Sequence, residues 1–193
     1  MILMLAGLVL FLLTHGLTAM REQRAAVIAR IGDIPYKVVN GLVSLAAVLM
    51  IAYGFADWRA SGPLQLWYPP VWTRHLALLL MLFASIFIVA GYTSGRIKAV
   101  LKYPLLAGIK TWALAHLLAN GDLATVVLAV VILGWAVHTR ISMKRRGPPT
   151  LRGPAGIRGD AFAVAGGIIL YLLLAYVFHP YIVGVPVMPA MPG

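Results

Sequence analysis

The sequence predicts an all-α polytopic membrane protein, a bundle of six transmembrane helices, on three observations. Of its 193 residues, 62% are hydrophobic and only 11% charged, with a mean hydropathy of +0.92, whereas soluble domains run at roughly 45–50% apolar and 25% charged. The apolar residues gather in runs close to the roughly 20 residues a helix needs to cross hydrocarbon. The 16 Lys and Arg residues fall in short blocks between those runs, as membrane topology signals do.

The first helix, about 2–20, has neither the basic n-region nor the small-residue cleavage site of a signal peptide, so it reads as a retained span. The others fall at about 38–55, 75–92, 104–120, 123–139 and 161–181, giving one domain over 1–181 and a Pro-rich tail over 182–193. Arg21, Arg24, Arg30 and Lys37 lie in the 21–37 loop, and Arg96, Lys98 and Lys102 in 93–103. Arg140, Lys144, Arg145, Arg146, Arg152 and Arg158 lie in 140–160. These are alternate connections, so the positive-inside rule puts all three in the cytoplasm and both termini on the outer side.

The same placement argues against nucleic acid as the reason for the net charge of +11. Nucleic-acid binding calls for basic residues gathered on one surface rather than dispersed among apolar spans. With no cysteine, disulfides, thiolate metal sites and a cysteine nucleophile are excluded. Any metal ligand must be His, Met, Tyr or a carboxylate.

In the outer 57–74 segment, Trp58, Trp67, Tyr68 and Trp72 read as an interfacial aromatic belt in preference to a substrate gate. The loop 147–160, rich in Gly and Pro, is expected to be poorly ordered. From Pro180 onward, with Pro186, Pro189 and Pro192 following, the chain is expected to leave the helix. Gly166-Gly167 is expected to allow close helix packing.

Between the fourth and fifth helices stands Asn120-Gly121-Asp122. Gly121 is expected in a left-handed C-cap position and Asp122 as the N-cap of the next helix. A turn this short makes the two helices antiparallel neighbours. Lys110, about 9 Å from the inner edge, is expected to snorkel to the cytoplasmic headgroups; its other reading pairs it with an anionic group inside the bundle.

Depth sorts the five histidines. His75, His138 and His179 fall near membrane surfaces and read as interfacial. His116 lies roughly 18 Å from the inner edge. Trp112, His116 and Asn120, spaced i, i+4, i+8, share one helical stripe, which must face protein because an imidazole in lipid lacks a partner. His116 is then either a hydrogen-bonded packing residue or a ligand to a metal or haem iron. A haem held by two imidazoles sets their Cα atoms about 12–13 Å apart. His15, about 8 Å below His116 in depth, is within reach as a partner, and His75 is the competing one.

The stretch GYTSGRIKAVLKYPLLAGIKTWALAHLLANGDLATVVL (91–128), followed by the basic RISMKRR (140–146), resembles the NnrU-like membrane proteins of bacteria. First-helix HGL (15–17) and the six-helix layout extend the likeness over about the first 146 residues. The family is named from genes beside nitrite and nitric oxide reductase functions in denitrifiers. Its domain is also similar to plant 15-cis-ζ-carotene isomerase, a membrane enzyme that uses haem b. Carried over by motif, the isomerase's haem histidines fall on His15 and His116.

The resemblance therefore implies an inner-membrane haem-b protein with His15 and His116 at iron. Lys110, Trp112 and Asn120 would then lie beside the cofactor, Lys110 facing a propionate. It implies a redox or accessory role tied to nitrite or nitric oxide reduction, or a haem-dependent cis-trans isomerisation of a polyene. A respiratory reductase and an apolar polyene or quinone-like molecule are the implied partners besides the lipid bilayer, and no catalytic residue is assigned. The alternative is a cofactor-free scaffold or assembly factor for a reductase. Two positions depart from the pattern: Tyr103 precedes Pro104 where the family has His, and Ala113 replaces the isomerase's cysteine.

Overall fold

The computed structural model describes residues 1–147 and 156–187, and their regular elements are all helical. In chain order these are α1 Ile2–Ala19, α2 Arg21–Ile31, α3 Asp33–Ala60, α4 Val71–Ala90, α5 Arg96–Leu101, α6 Pro104–Ala119, α7 Leu123–Arg145 and α8 Ile157–Leu173. A π-helical segment, Leu174–Val183, carries α8 onward. Most of the Gly- and Pro-rich loop, and Pro189 and Pro192, lie outside the described residues.

Five of these helices are long and apolar enough to span a membrane: α1, α3, α4, α7 and the continuous run Ile157–Val183. The expected fourth span, α6, is apolar but only 16 residues long, about 24 Å at 1.5 Å per residue.

Three expectations about boundaries are corrected. The 21–37 loop is helical, because REQRAAVIAR is rich in strong helix formers and only Gly32, with φ of 88°, interrupts it. α3 and α7 run past the predicted 38–55 and 123–139, since hydropathy marks the hydrocarbon boundary and a helix can continue beyond it with Lys and Arg extended toward water. Pro180 does not end its helix. A proline ring clashes with the carbonyl four residues back in an α-helix, and the wider π turn around Pro180 relaxes that constraint.

The described chain forms two compact units, Met1–Pro63 and Leu64 onward. In the first, α1 packs on α3 around Met4, Leu8, Ala47, Ile51 and Phe55. Trp58 is buried there, so it leaves the predicted aromatic belt, while Trp67, Tyr68 and Trp72 are exposed as a belt requires. Arg24 lies over the Tyr36 ring at 5.6 Å.

In the second unit α4 is the central helix, with α6 and α8 packed on it and α7 on α6. Small residues set these crossings, as is usual where helices associate in lipid. A Cβ on Gly108 of α6 would stand 2.7 Å from the Ala84 carbonyl oxygen, and one on Gly167 of α8 2.5 Å from Ile86 Cα. The Gly166-Gly167 pair thus packs closely, as expected. At the basic end of this unit, Asp160 accepts a hydrogen bond from the Ile97 amide at 2.9 Å, tying the start of α8 to the first turn of α5.

Candidate functional site

Helix α6 starts where Tyr103, at φ −131° and ψ 63°, hands over to Pro104 in the first helical turn, a position that suits a residue with no N–H. The Tyr103 hydroxyl donates to the Gly147 carbonyl at 3.1 Å, and the Arg140 guanidinium lies 4.3 Å from its ring centre. The phenol of Tyr103 is thus tied to the end of α7.

Along α6 the stripe Trp112, His116 and Asn120 forms as the spacing predicts. The Trp112 and His116 rings stand 4.5 Å apart. The His116 carbonyl accepts from the Asn120 backbone amide at 3.0 Å and from its side-chain amide at 3.1 Å. His116 Nδ1 lies 2.8 Å from the Trp112 carbonyl oxygen. A carbonyl only accepts, so Nδ1 carries the hydrogen and, in the neutral ring, Nε2 carries the lone pair. This is the tautomer in which imidazoles ordinarily bind metals, with the second nitrogen anchored to an acceptor.

A second imidazole stands beside this one. The His179 ring centre is 6.2 Å from that of His116, with ring planes 22° apart. Its Nδ1 lies 2.7 Å from the Leu174 carbonyl oxygen, so its lone pair is also on Nε2. The two helices meet here because α6 and α8 cross α4 at one level, through Gly108 and Gly167, and both run from there toward the beginning of α4. An apolar cavity of about 100 Å3, lined by Leu78, Ala175, Tyr176 and Pro180, adjoins the π segment.

His179 was expected to be interfacial, and its sequence context carries no signal for this juxtaposition. The π turn that aims it becomes visible only in three dimensions. His15 lies in the first unit with its Nδ1 2.9 Å from the Phe11 carbonyl and its ring 4.0 Å from that of Phe11. It has the same tautomer. His75 and His138 are exposed, on α4 and α7. Lys110 is half-buried on α6 and joins no ion pair among the described residues. Ala113, one turn before His116 on α6, is fully buried.

The turn after α6 holds Asp122 as the predicted N-cap of α7. Its two carboxylate oxygens accept from the Thr125 amide at 2.9 Å and from the Thr125 hydroxyl at 2.8 Å. The expectation for Gly121 is corrected, because it does not have a positive φ. Glycine stands there because the Trp67 carbonyl lies where a Cβ would go. The 64–67 segment pairs with this turn, Leu66 N donating to Gly121 O at 2.8 Å and Leu123 N to Leu64 O at 2.9 Å.

No curated protein and no solved structure significantly matches this sequence. The family model described as NnrU protein matches residues 3–187, which contain both imidazoles of the α6 pair and His15, and on that match the chain belongs to the NnrU family.

Proposed function

We propose that this NnrU-family protein is a haem-b-binding protein of the bacterial inner membrane, serving one-electron transfer or an accessory role beside a nitrite or nitric oxide reductase. The observation that carries the reading is His116, an imidazole on an apolar helix whose Nδ1 stands 2.8 Å from the Trp112 carbonyl oxygen, so that Nε2 would be the ligating nitrogen. The family resemblance supplies His15, with the same tautomer, as its partner at iron.

Two imidazoles would be membrane-compatible ligands for haem b, which would supply one-electron chemistry when bound. The cavity beside Pro180, at about 100 Å3, is smaller than the roughly 300–1,000 Å3 of ligand pockets, so the fit rests on the donor atoms. Ligation by two imidazoles would leave no position at iron for substrate, which, with Ala113 in place of a cysteine, favours electron transfer over polyene isomerisation. In this reading Lys110 stands near a propionate, α6 crosses as a sixth span between α4 and α7, and the basic loops face the cytoplasm.

The small cavity favours one second reading, the cofactor-free scaffold for a reductase. An absorption spectrum separates the two. Protein purified in detergent is expected to show a Soret band and, on reduction, resolved α and β bands; a colourless preparation that takes up no added haem overturns the haem reading. Reporter fusions at both termini test the orientation, with periplasmic activity expected at each.

A further inference from the structure

We infer that the exposed cations at the joint between α5 and α8, Arg96, Lys102 and Arg158, form a headgroup site for an anionic phospholipid of the leaflet they face. The inference does not depend on what the imidazoles of α6 bind.

The joint is built by close approach of backbone to backbone. A Cβ on Gly95 would stand 2.8 Å from the Asp160 amide nitrogen, and one on Gly159 2.6 Å from the Gly95 nitrogen. The Gly156 amide donates to the Ser94 carbonyl at 3.2 Å, and the Ile97 amide to Asp160 Oδ1 at 2.9 Å. These contacts pin Arg96 and Arg158, the chain neighbours of the two glycines, at one joint, and both are exposed. Arg158 also stands in the first turn of α8, where the helix dipole disfavours a cation.

Lys102 follows at the far end of α5 and is exposed as well. Its φ of 63° and ψ of −42° make it the one positive-φ residue other than glycine among the described residues. The Tyr103 amide donates across it to the Leu101 carbonyl at 2.7 Å. This is a γ-turn of the rare, strained hand, which glycine adopts at lower cost. A lysine is thus held here against the preference of the backbone.

The protein supplies little counter-charge. The acidic residues of the second unit are Asp122 and Asp160. Asp122 caps α7, and Asp160 faces the joint with one oxygen committed to the Ile97 amide. Neither ion pair among the described residues includes Arg96, Lys102 or Arg158. On the same segments Tyr92, Val100 and Ile157 are large apolar side chains left exposed. Cations interleaved with exposed apolar groups suit the boundary of headgroup and acyl chain, where both terms contribute to binding. Basic clusters beside membrane spans take the headgroups of acidic phospholipids, and a guanidinium meets a phosphate through two parallel N–H donors. The apolar neighbours favour a lipid over free phosphate.

The test melts the full chain in maltoside detergent, followed by tryptophan fluorescence, with phosphatidylglycerol, phosphatidylcholine or inorganic phosphate added. Wild type is expected to melt higher with phosphatidylglycerol than with phosphatidylcholine, and inorganic phosphate to leave it unmoved. R96Q/R158Q is expected to melt as wild type does in detergent alone and to lose most of the rise with phosphatidylglycerol. K144Q/R145Q, which removes the same charge from the exposed end of α7, is expected to keep it. K102G gives a second reading where the double variant folds poorly: relief of the γ-turn is expected to hold or raise its melting temperature in detergent while part of the lipid rise is lost. An equal rise with phosphatidylcholine or with inorganic phosphate overturns the inference. So does a full rise in R96Q/R158Q or K102G, or an equal loss in K144Q/R145Q.

Discussion

Gly121 lies beneath the carbonyl of Trp67, so close that a side chain at this position would occupy the place of that oxygen. The contact brings the 64–67 segment onto the turn between α6 and α7. Gly121→Ala is therefore expected to push the segment away and break the Leu66–Gly121 hydrogen bond, at about 1–3 kcal/mol. Thermal unfolding followed by tryptophan fluorescence in detergent measures the loss. Gly134→Ala is the control: nothing lies within 4 Å of its Cβ position, so within a helix it is expected to be neutral or to stabilise by up to about 1 kcal/mol.

Asp122 and Thr125 close the other side of the same turn. Removing the carboxylate by Asp122→Ala takes the N-cap from α7 and leaves the buried Thr125 amide without its acceptor. The expected cost is about 1–2 kcal/mol. Asp122→Asn keeps one acceptor oxygen and is expected to cost less than Asp122→Ala in the same melting assay.

His116→Gln separates the two functional readings. An amide preserves a polar packing contact but is a poor iron ligand. Under the haem reading the variant is expected to lose bound haem, measured as pigment per protein, and to fail to complement a deletion strain. Under the scaffold reading it complements as wild type does.

At the basic end, Tyr103→Phe removes the hydroxyl that donates to the Gly147 carbonyl and keeps the ring beneath Arg140. A loss of about 0.5–1.5 kcal/mol is expected. Tyr103→Leu also forfeits the cation–π contact and is expected to lose about a further 0.5–1 kcal/mol. Under the haem reading both are expected to leave haem content unchanged, since Tyr103 is not among the proposed ligands.

Much of this architecture was legible from the chain alone, for identifiable reasons. Hydropathy and the spacing of basic blocks located every apolar helix, because the bilayer imposes one length scale on all of them. The Trp112–His116–Asn120 stripe and the Asp122 cap depend on neighbours within one or two turns, and such local geometry follows from residue spacing. What was missed depends on contacts between distant segments or on unusual backbone. Gly121 was assigned a left-handed turn when its constraint is the approach of Trp67, a residue 54 positions earlier in the sequence. The ring contact between His116 and His179 was not anticipated because it joins two helices whose residues stand 63 positions apart.

The length of α6 has a consequence for the host membrane. If α6 is the sixth span proposed above, its 16 residues would reach about 24 Å, some 6 Å less than a typical hydrocarbon core of about 30 Å. Hydrophobic mismatch of this size draws the lipid headgroups inward around a short span or favours residence in a thinner bilayer. Reconstitution in vesicles of graded acyl-chain length should therefore find the protein most stable where the chains are short.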